Sequence, residues 1–122
     1  MNEETREWAA GLGIPRTSAD PEEVFADPEV DAVFICSSTA THADFIIRAA
    51  GAGKHIFCEK PIHTDIGKIQ EALRAVEEAG VKLQIGFVRR FDRSHRAVRD
   101  AVASGKLGAP YVVKICSRDP EA

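Results

Sequence analysis

Val30-Asp31-Ala32-Val33-Phe34-Ile35-Cys36-Ser37-Ser38-Thr39 is the stretch that decides the fold. Ala32 to Cys36 is a near-continuous apolar run, the pattern of a strand covered on both faces. Ser37, Ser38 and Thr39 then make a polar bend. Thr41 to Ala52 follows with helical spacing, placing Phe45, Ile46, Ala49 and Ala50 on one side, and Gly51 and Gly53 stand where a helix stop is wanted.

The cycle repeats downstream. His55 to Cys58 reads as a second short strand, ended by Glu59-Lys60-Pro61. Thr64 is placed to cap a helix carrying Ile66, Ile69, Leu73 and Val76 at three- and four-residue steps, and Gly80 is a natural stop. A third strand is expected over Val81 to Phe87 and a helix over Asp92 to Ser104, closed by Gly105. Tyr111 to Cys116 reads as a last strand, which either continues this sheet or begins another. Upstream, Asn2 to Gly11 is expected to be a helix with Trp8 on its packing face, and Pro21 to Ala26 a short helix started by Asp20 or Ser18. Strands alternating with helices through short loops imply right-handed βαβ units and a parallel sheet, an α/β fold. Three such strands are marginal alone, because their edges and faces need partners.

Composition narrows the function. The 122 residues carry 44% hydrophobic and 29% charged side chains, as a soluble globular chain does, and suffice for one ordinary domain. The formal net charge of −3 favours neither nucleic acid nor an anionic membrane as partner. The run Arg89, Arg90, Arg93, Arg96 and Arg99 is locally basic but is interrupted by Asp92 and Asp100. No apolar stretch is long enough to span a membrane, and the acidic, polar start is wrong for a secretory signal, so the cytoplasm is the expected compartment. Cys36, Cys58 and Cys116 are far apart, each within an apolar run. They read as buried small hydrophobes, with neither disulfide nor metal expected.

Ligands of open parallel sheets gather at the carboxyl ends of the strands. Three polar segments fall there: Ser37 to His42, Glu59-Lys60-Pro61, and Phe87 to Arg90. The first runs into a helix N-terminus whose free N–H groups suit a phosphate or ribose, although helix capping by Ser and Thr explains the same residues. His42 alone reads as a solvated first-turn side chain. Lys60 ends an apolar strand, and Pro61 restricts its backbone. It is either a solvated surface lysine or, beside a cationic ring in a half-buried cleft, one tuned towards neutrality that relays a hydroxyl proton. Arg89 and Arg90 suit an anionic or polyol ligand, and equally a salt bridge to Asp92 or Glu59.

At these residues the sequence resembles the Gfo/Idh/MocA family of sugar and polyol oxidoreductases, inositol 2-dehydrogenases in particular. The matching text is Val30 to Thr39 with His42, then Gly53-Lys54-His55-Ile56-Phe57-Cys58-Glu59-Lys60-Pro61. It continues through Gly80 to Phe87, Arg89-Arg90-Phe91-Asp92 and Ser117-Arg118-Asp119-Pro120. The resemblance implies a partial Rossmann-type, doubly wound parallel sheet, incomplete without its first two strands. It places residues 1–108 in the later part of a dinucleotide-binding domain and 109–122 at the start of a C-terminal α/β substrate domain. It implies Lys60 as the active-site lysine and Ser37, Ser38, Thr39, His42, Glu59, Lys60 and Pro61 as cofactor-lining residues. The cofactor implied is NAD, with NADP left open; the substrate is a small polyol or sugar whose ring hydroxyl becomes a ketone.

The family opens with a strand, a G-x-G-x-x-G turn and a second strand with an acidic end, and none of these is present. Gly11-Leu12-Gly13-Ile14-Pro15-Arg16 lacks the third glycine and follows no strand. The chain therefore reads as a fragment, expected to bind NAD poorly by itself, with the family's remaining catalytic Asp and His beyond Ala122. Ser38 stands where the family often has proline, and Val88 where related inositol enzymes have Asn or Met. The rival reading is a non-catalytic oligomerisation or binding module derived from such an enzyme, self-associating through exposed sheet surfaces.

Overall fold

A computed structural model describes residues 3–116; the stretch Ser117-Arg118-Asp119-Pro120 lies outside them. The described residues form one packing unit up to Gly86 and another from Phe87 onward.

In the first unit, helix α1 (Glu3–Gly11) and the short helix α2 (Pro21–Phe25) precede strand β1 (Ala32–Ile35). Helix α3 (Thr39–Gly51), strand β2 (His55–Glu59), helix α4 (Ile66–Ala79) and strand β3 (Leu83–Gly86) complete it. The strands lie in the order β1-β2-β3, all parallel. Ile35 pairs with Cys58 and Glu59 with Gly86, so all three strands end on one rim.

Alternation along the strands sets the layers. Val33, Ile35, Ile56 and Cys58 turn to one face and are buried beneath α3 and α4, which contribute Ala43, Ile46, Ala49, Ala50 and Ala72. Each fully buried Val or Ile there contributes about 1.5–3 kcal/mol. The small Ala side chains let the helices approach the sheet closely. Phe25 of α2 meets Phe45 of α3 edge-on at 6.1 Å, with the Arg48 guanidinium about 5.5 Å from both ring centres. The opposite face is bare among the described residues. Phe34 is 74% exposed and stacks only on Phe57, ring centres 5.0 Å apart. The apolar run that reads as a strand covered on both sides is therefore covered on one.

Local chemistry fixes the helix ends. Asp20 caps α2 by accepting the Glu22 N–H at 3.0 Å. Asp65, not Thr64, caps α4, its carboxylate accepting the Lys68 N–H at 3.0 Å. Gly80 ends α4 in the left-handed region, φ 66°. Trp8 is 65% exposed, and Ala9 is the residue α1 buries.

The described residues of the second unit hold a 3-10 turn (Val88–Arg90) and helix α5 (Arg93–Ala103), capped by Asp92. Tyr111 to Cys116 form no strand and are exposed. Their strand-forming side chains have no neighbouring strand to complete a ladder, and propensity alone does not hold an extended segment. No helix among the described residues is long and apolar enough to cross a membrane.

Candidate functional site

The rim formed by the carboxyl ends of β1 and β2 brings together the hydroxyl-bearing turn after β1 and the Glu59-Lys60-Pro61 loop after β2. Parallel register dictates this: Ile35 lies beside Cys58, so Ser37 and Lys60 leave their strands side by side. Ser37, Ser38, Lys60 and Pro61 are exposed, and Thr39 and Glu59 are partly so.

His42 joins the two loops. It sits in the first turn of α3, on the same stripe as Ile46 and Ala49, and is 2% exposed. Its Nδ1 lies 2.8 Å from the Pro61 carbonyl oxygen and its Nε2 3.0 Å from that of Ser37. Both partners are acceptors, so a ring with one proton donates to one of them and a ring with two donates to both. The imidazole is thus a buried strut between the loops, not the solvated side chain its position suggests. Helical spacing carried that signal, because residues 42, 46 and 49 share one face.

The turn before α3 is ordered by its hydroxyls. Thr41 Oγ1 donates to the Ser38 carbonyl at 2.8 Å. It has only one hydrogen, so the 2.7 Å contact with Ser37 Oγ is a bond donated by Ser37. The Ser37 oxygen, donating its one hydrogen, keeps its capacity to accept. Ser38 occupies the N-cap position with extended backbone, yet its side chain makes no cap hydrogen bond. Capping thus does not use the Ser38 hydroxyl, and the positive end of α3 opens on the rim without it.

On the other loop the Lys60 N–H donates to Glu59 Oε2 at 3.3 Å. The Glu59 carboxylate in turn lies against Gly86 at the end of β3. A Cβ there would meet Glu59 Oε1 at 3.0 Å, its Cδ at 3.1 Å and the Phe57 ring at 3.1 Å. Gly86 therefore sets the room in which Glu59 sits, a role that only the packed structure reveals. Cys58, directly before Glu59, is fully buried, and burial pushes its thiol up to about 11, with Cys36 and Glu59 adding to the effect. Cys36 and Cys116, expected to be buried, are exposed; all three cysteines are free.

The third expected segment, Phe87 to Arg90, belongs to the second unit, where the expected ion pair of Asp92 with Arg89 or Arg90 does not form. Asp92 pairs with His95 instead, at 2.8 Å.

A larger cleft, about 610 Å³, is lined by Arg16, Thr17, Glu23, Val24 and Asp27 and reaches Val30 just before β1. It lies on the amino side of the sheet, where open parallel sheets do not collect ligands. Its two facing charges, Arg16 and Asp27, are paired with each other. Asp27 accepts the Glu29 N–H at 2.9 Å, which with Arg16 holds its carboxyl below the usual range. Its carbonyl takes the buried Lys54 ammonium at 2.7 Å.

The sequence profile of the Gfo/Idh/MocA proteins, an oxidoreductase family with an NAD-binding Rossmann fold, matches residues 1–87. The chain is 44% identical over 115 residues to the myo-inositol 2-dehydrogenase of Thermotoga maritima, covering 94% of this chain and 34% of that protein. It is 43% identical over 114 residues to a scyllo-inositol 2-dehydrogenase (NAD(+)) of Bacillus subtilis, covering 93% and 33%. Among solved structures, the scyllo-inositol dehydrogenase of Lactobacillus casei with bound NAD(H) and scyllo-inositol superposes with a TM-score of 0.81. That match has 36% identity and covers 88% of this chain and 32% of that one. The chain thus spans about a third of the length of the relatives it matches.

Proposed function

The chain belongs to the Gfo/Idh/MocA oxidoreductase family, and from that premise we propose that it supplies the nicotinamide-side rim of an NAD-linked dehydrogenase. The proposed substrate is a cyclic polyol of the inositol type. NAD, when bound, supplies the hydride acceptor. Ser37 Oγ and the open amino end of α3 suit a ribose hydroxyl or phosphate oxygen, and the Glu59-Lys60-Pro61 loop suits the ring side. NAD rather than NADP fits the named relatives.

Within this reading Lys60 is the catalytic residue. As the ring carbon loses hydride, its hydroxyl loses a proton, and Lys60 Nζ takes that proton up or passes it on; alcohol becomes ketone. Glu59 fixes the Lys60 backbone through the N–H, and His42 ties the Lys60 loop to the Ser37 turn. The observation that carries the proposal is this strut: two loops with the needed chemistry, on one rim, cross-linked by a buried imidazole.

A chimera tests it. Residues 1–116 replace the matching segment of the Thermotoga maritima enzyme, and NADH formation from myo- and scyllo-inositol is followed. The chimera is expected to turn over, and Lys60→Met within it to lower kcat about 10²–10⁴-fold while NAD affinity is kept. A chimera that binds NAD and whose Lys60→Met form keeps full turnover would remove Lys60 from the reaction.

A second reading, self-association, is favoured by the bare sheet face carrying Phe34 and Phe57. Light scattering reads it. A concentration-dependent rise in mass supports association, and a monomer at high concentration speaks against it.

A further inference from the structure

Between Phe87 and Leu107 the sequence carries six Arg and Lys residues against two Asp, although the whole chain has a net charge of −3. Both Asp are engaged. Asp92 accepts the His95 N–H at 2.9 Å and pairs with its ring at 2.8 Å. Asp100 is gripped by Arg99 through Nε at 2.9 Å and a terminal nitrogen at 2.7 Å. Among the described residues of this unit, Arg89, Arg90 and Arg96 have no carboxylate partner.

These groups are gathered. The 3-10 turn contributes Arg89 and Arg90, and one side of α5 contributes His95, Arg96 and Arg99. Together the five line a cleft of about 300 Å³. Steps of three and four residues along α5 put Arg96 and Arg99, and His95 and Arg99, on neighbouring positions of the helix surface. Guanidinium groups without counter-charge repel one another, and their fixed fork of donors matches phosphoryl oxygens in pairs. We propose that this cleft binds a small anion carrying two or more phosphoryl groups. Its volume is at the small end of ligand pockets, which suits a compact molecule. The lining holds no Phe, Tyr or Trp, and its one ring, His95, is paired with Asp92, so the cleft lacks a broad platform for stacked bases and a nucleic-acid strand is the poorer fit.

Inorganic pyrophosphate titrated into the ¹⁵N-labelled chain at low salt tests this. Saturable one-site shifts are expected at residues 89–90 and 95–99, weakening as salt is raised because the charges are exposed. Arg90→Glu and Arg96→Glu should each lower the affinity about tenfold or more, and together abolish binding. Arg74→Glu, an exposed change on α4, should leave it unaltered. If the double charge reversal loses its folded far-UV spectrum, the milder pair Arg90→Gln and Arg96→Gln reads the same question. Absence of saturation overturns the proposal, as does pyrophosphate affinity that survives both pairs of substitutions. So does a single-stranded oligonucleotide that shifts these residues where pyrophosphate does not.

Discussion

Replacing His42 by Ala removes the strut between the two rim loops, and its cost can be worked from the geometry. Two hydrogen bonds, at 2.8 and 3.0 Å, are lost. Each is worth about 1 kcal/mol net, and more where a carbonyl is left unpaired away from water. The ring is 2% exposed, so its removal also leaves a void beside Ala43 and Ile46. The sum is about 2–4 kcal/mol, a large share of the roughly 5–15 kcal/mol that keeps a domain folded. Urea denaturation followed by circular dichroism should show the midpoint falling by about 2 M, given a slope of about 1.5 kcal/mol/M. Asp44→Ala, an exposed change two residues along on the other side of the same helix, should stay within about 0.5 kcal/mol. A His42→Ala loss no larger than that of the control would refute the reasoning, because water would then be serving both carbonyls as well as the imidazole does.

Gly86→Ala should cost about 1–2 kcal/mol and displace the Glu59 carboxylate, seen as loss of the Lys60 amide's bond to it in NMR shifts; an unchanged Lys60 amide would contradict the packing. The Cys58 thiol is raised from 9.0 to about 11, so the folded state favours the protonated form. Its contribution to stability is fully present below pH 9.0 and is lost as pH rises towards about 11, and Cys58→Ala should flatten that alkaline decline. A disulfide-exchange reagent at neutral pH should react quickly with exposed Cys36 and Cys116 and slowly with Cys58, by mass spectrometry of the labelled peptides. Phe34→Lys on the bare sheet face should lower any self-association seen by light scattering, with little effect on the urea midpoint.

Much of this architecture is written locally. The runs Ala32 to Ile35 and His55 to Cys58 are short and apolar enough to read as strands, each burying one face, and Asp92 and Gly80 mark helix ends by chemistry that needs no tertiary context. What failed depended on neighbours. Thr64 and Asp65 are both good caps, and only the packed α4 shows which side chain reaches the Lys68 N–H. Tyr111 to Cys116 has the composition of a strand but no partner, and Trp8 has the bulk of a core residue but no core beside it. The rim was legible because parallel strands must place their carboxyl ends together. The strut was not, because a histidine in a first turn is read as solvated unless its helical face is counted along with Ile46 and Ala49.

Nuclear Overhauser contacts between NAD and this chain test the central claim most directly. Binding in the millimolar range is sufficient for transferred contacts. Nicotinamide protons should show contacts to Lys60 and Pro61, and ribose protons to Ser37 and Thr39. Contacts confined to the cleft of Arg16, Glu23 and Val24, at the far end of the strands, would contradict the account.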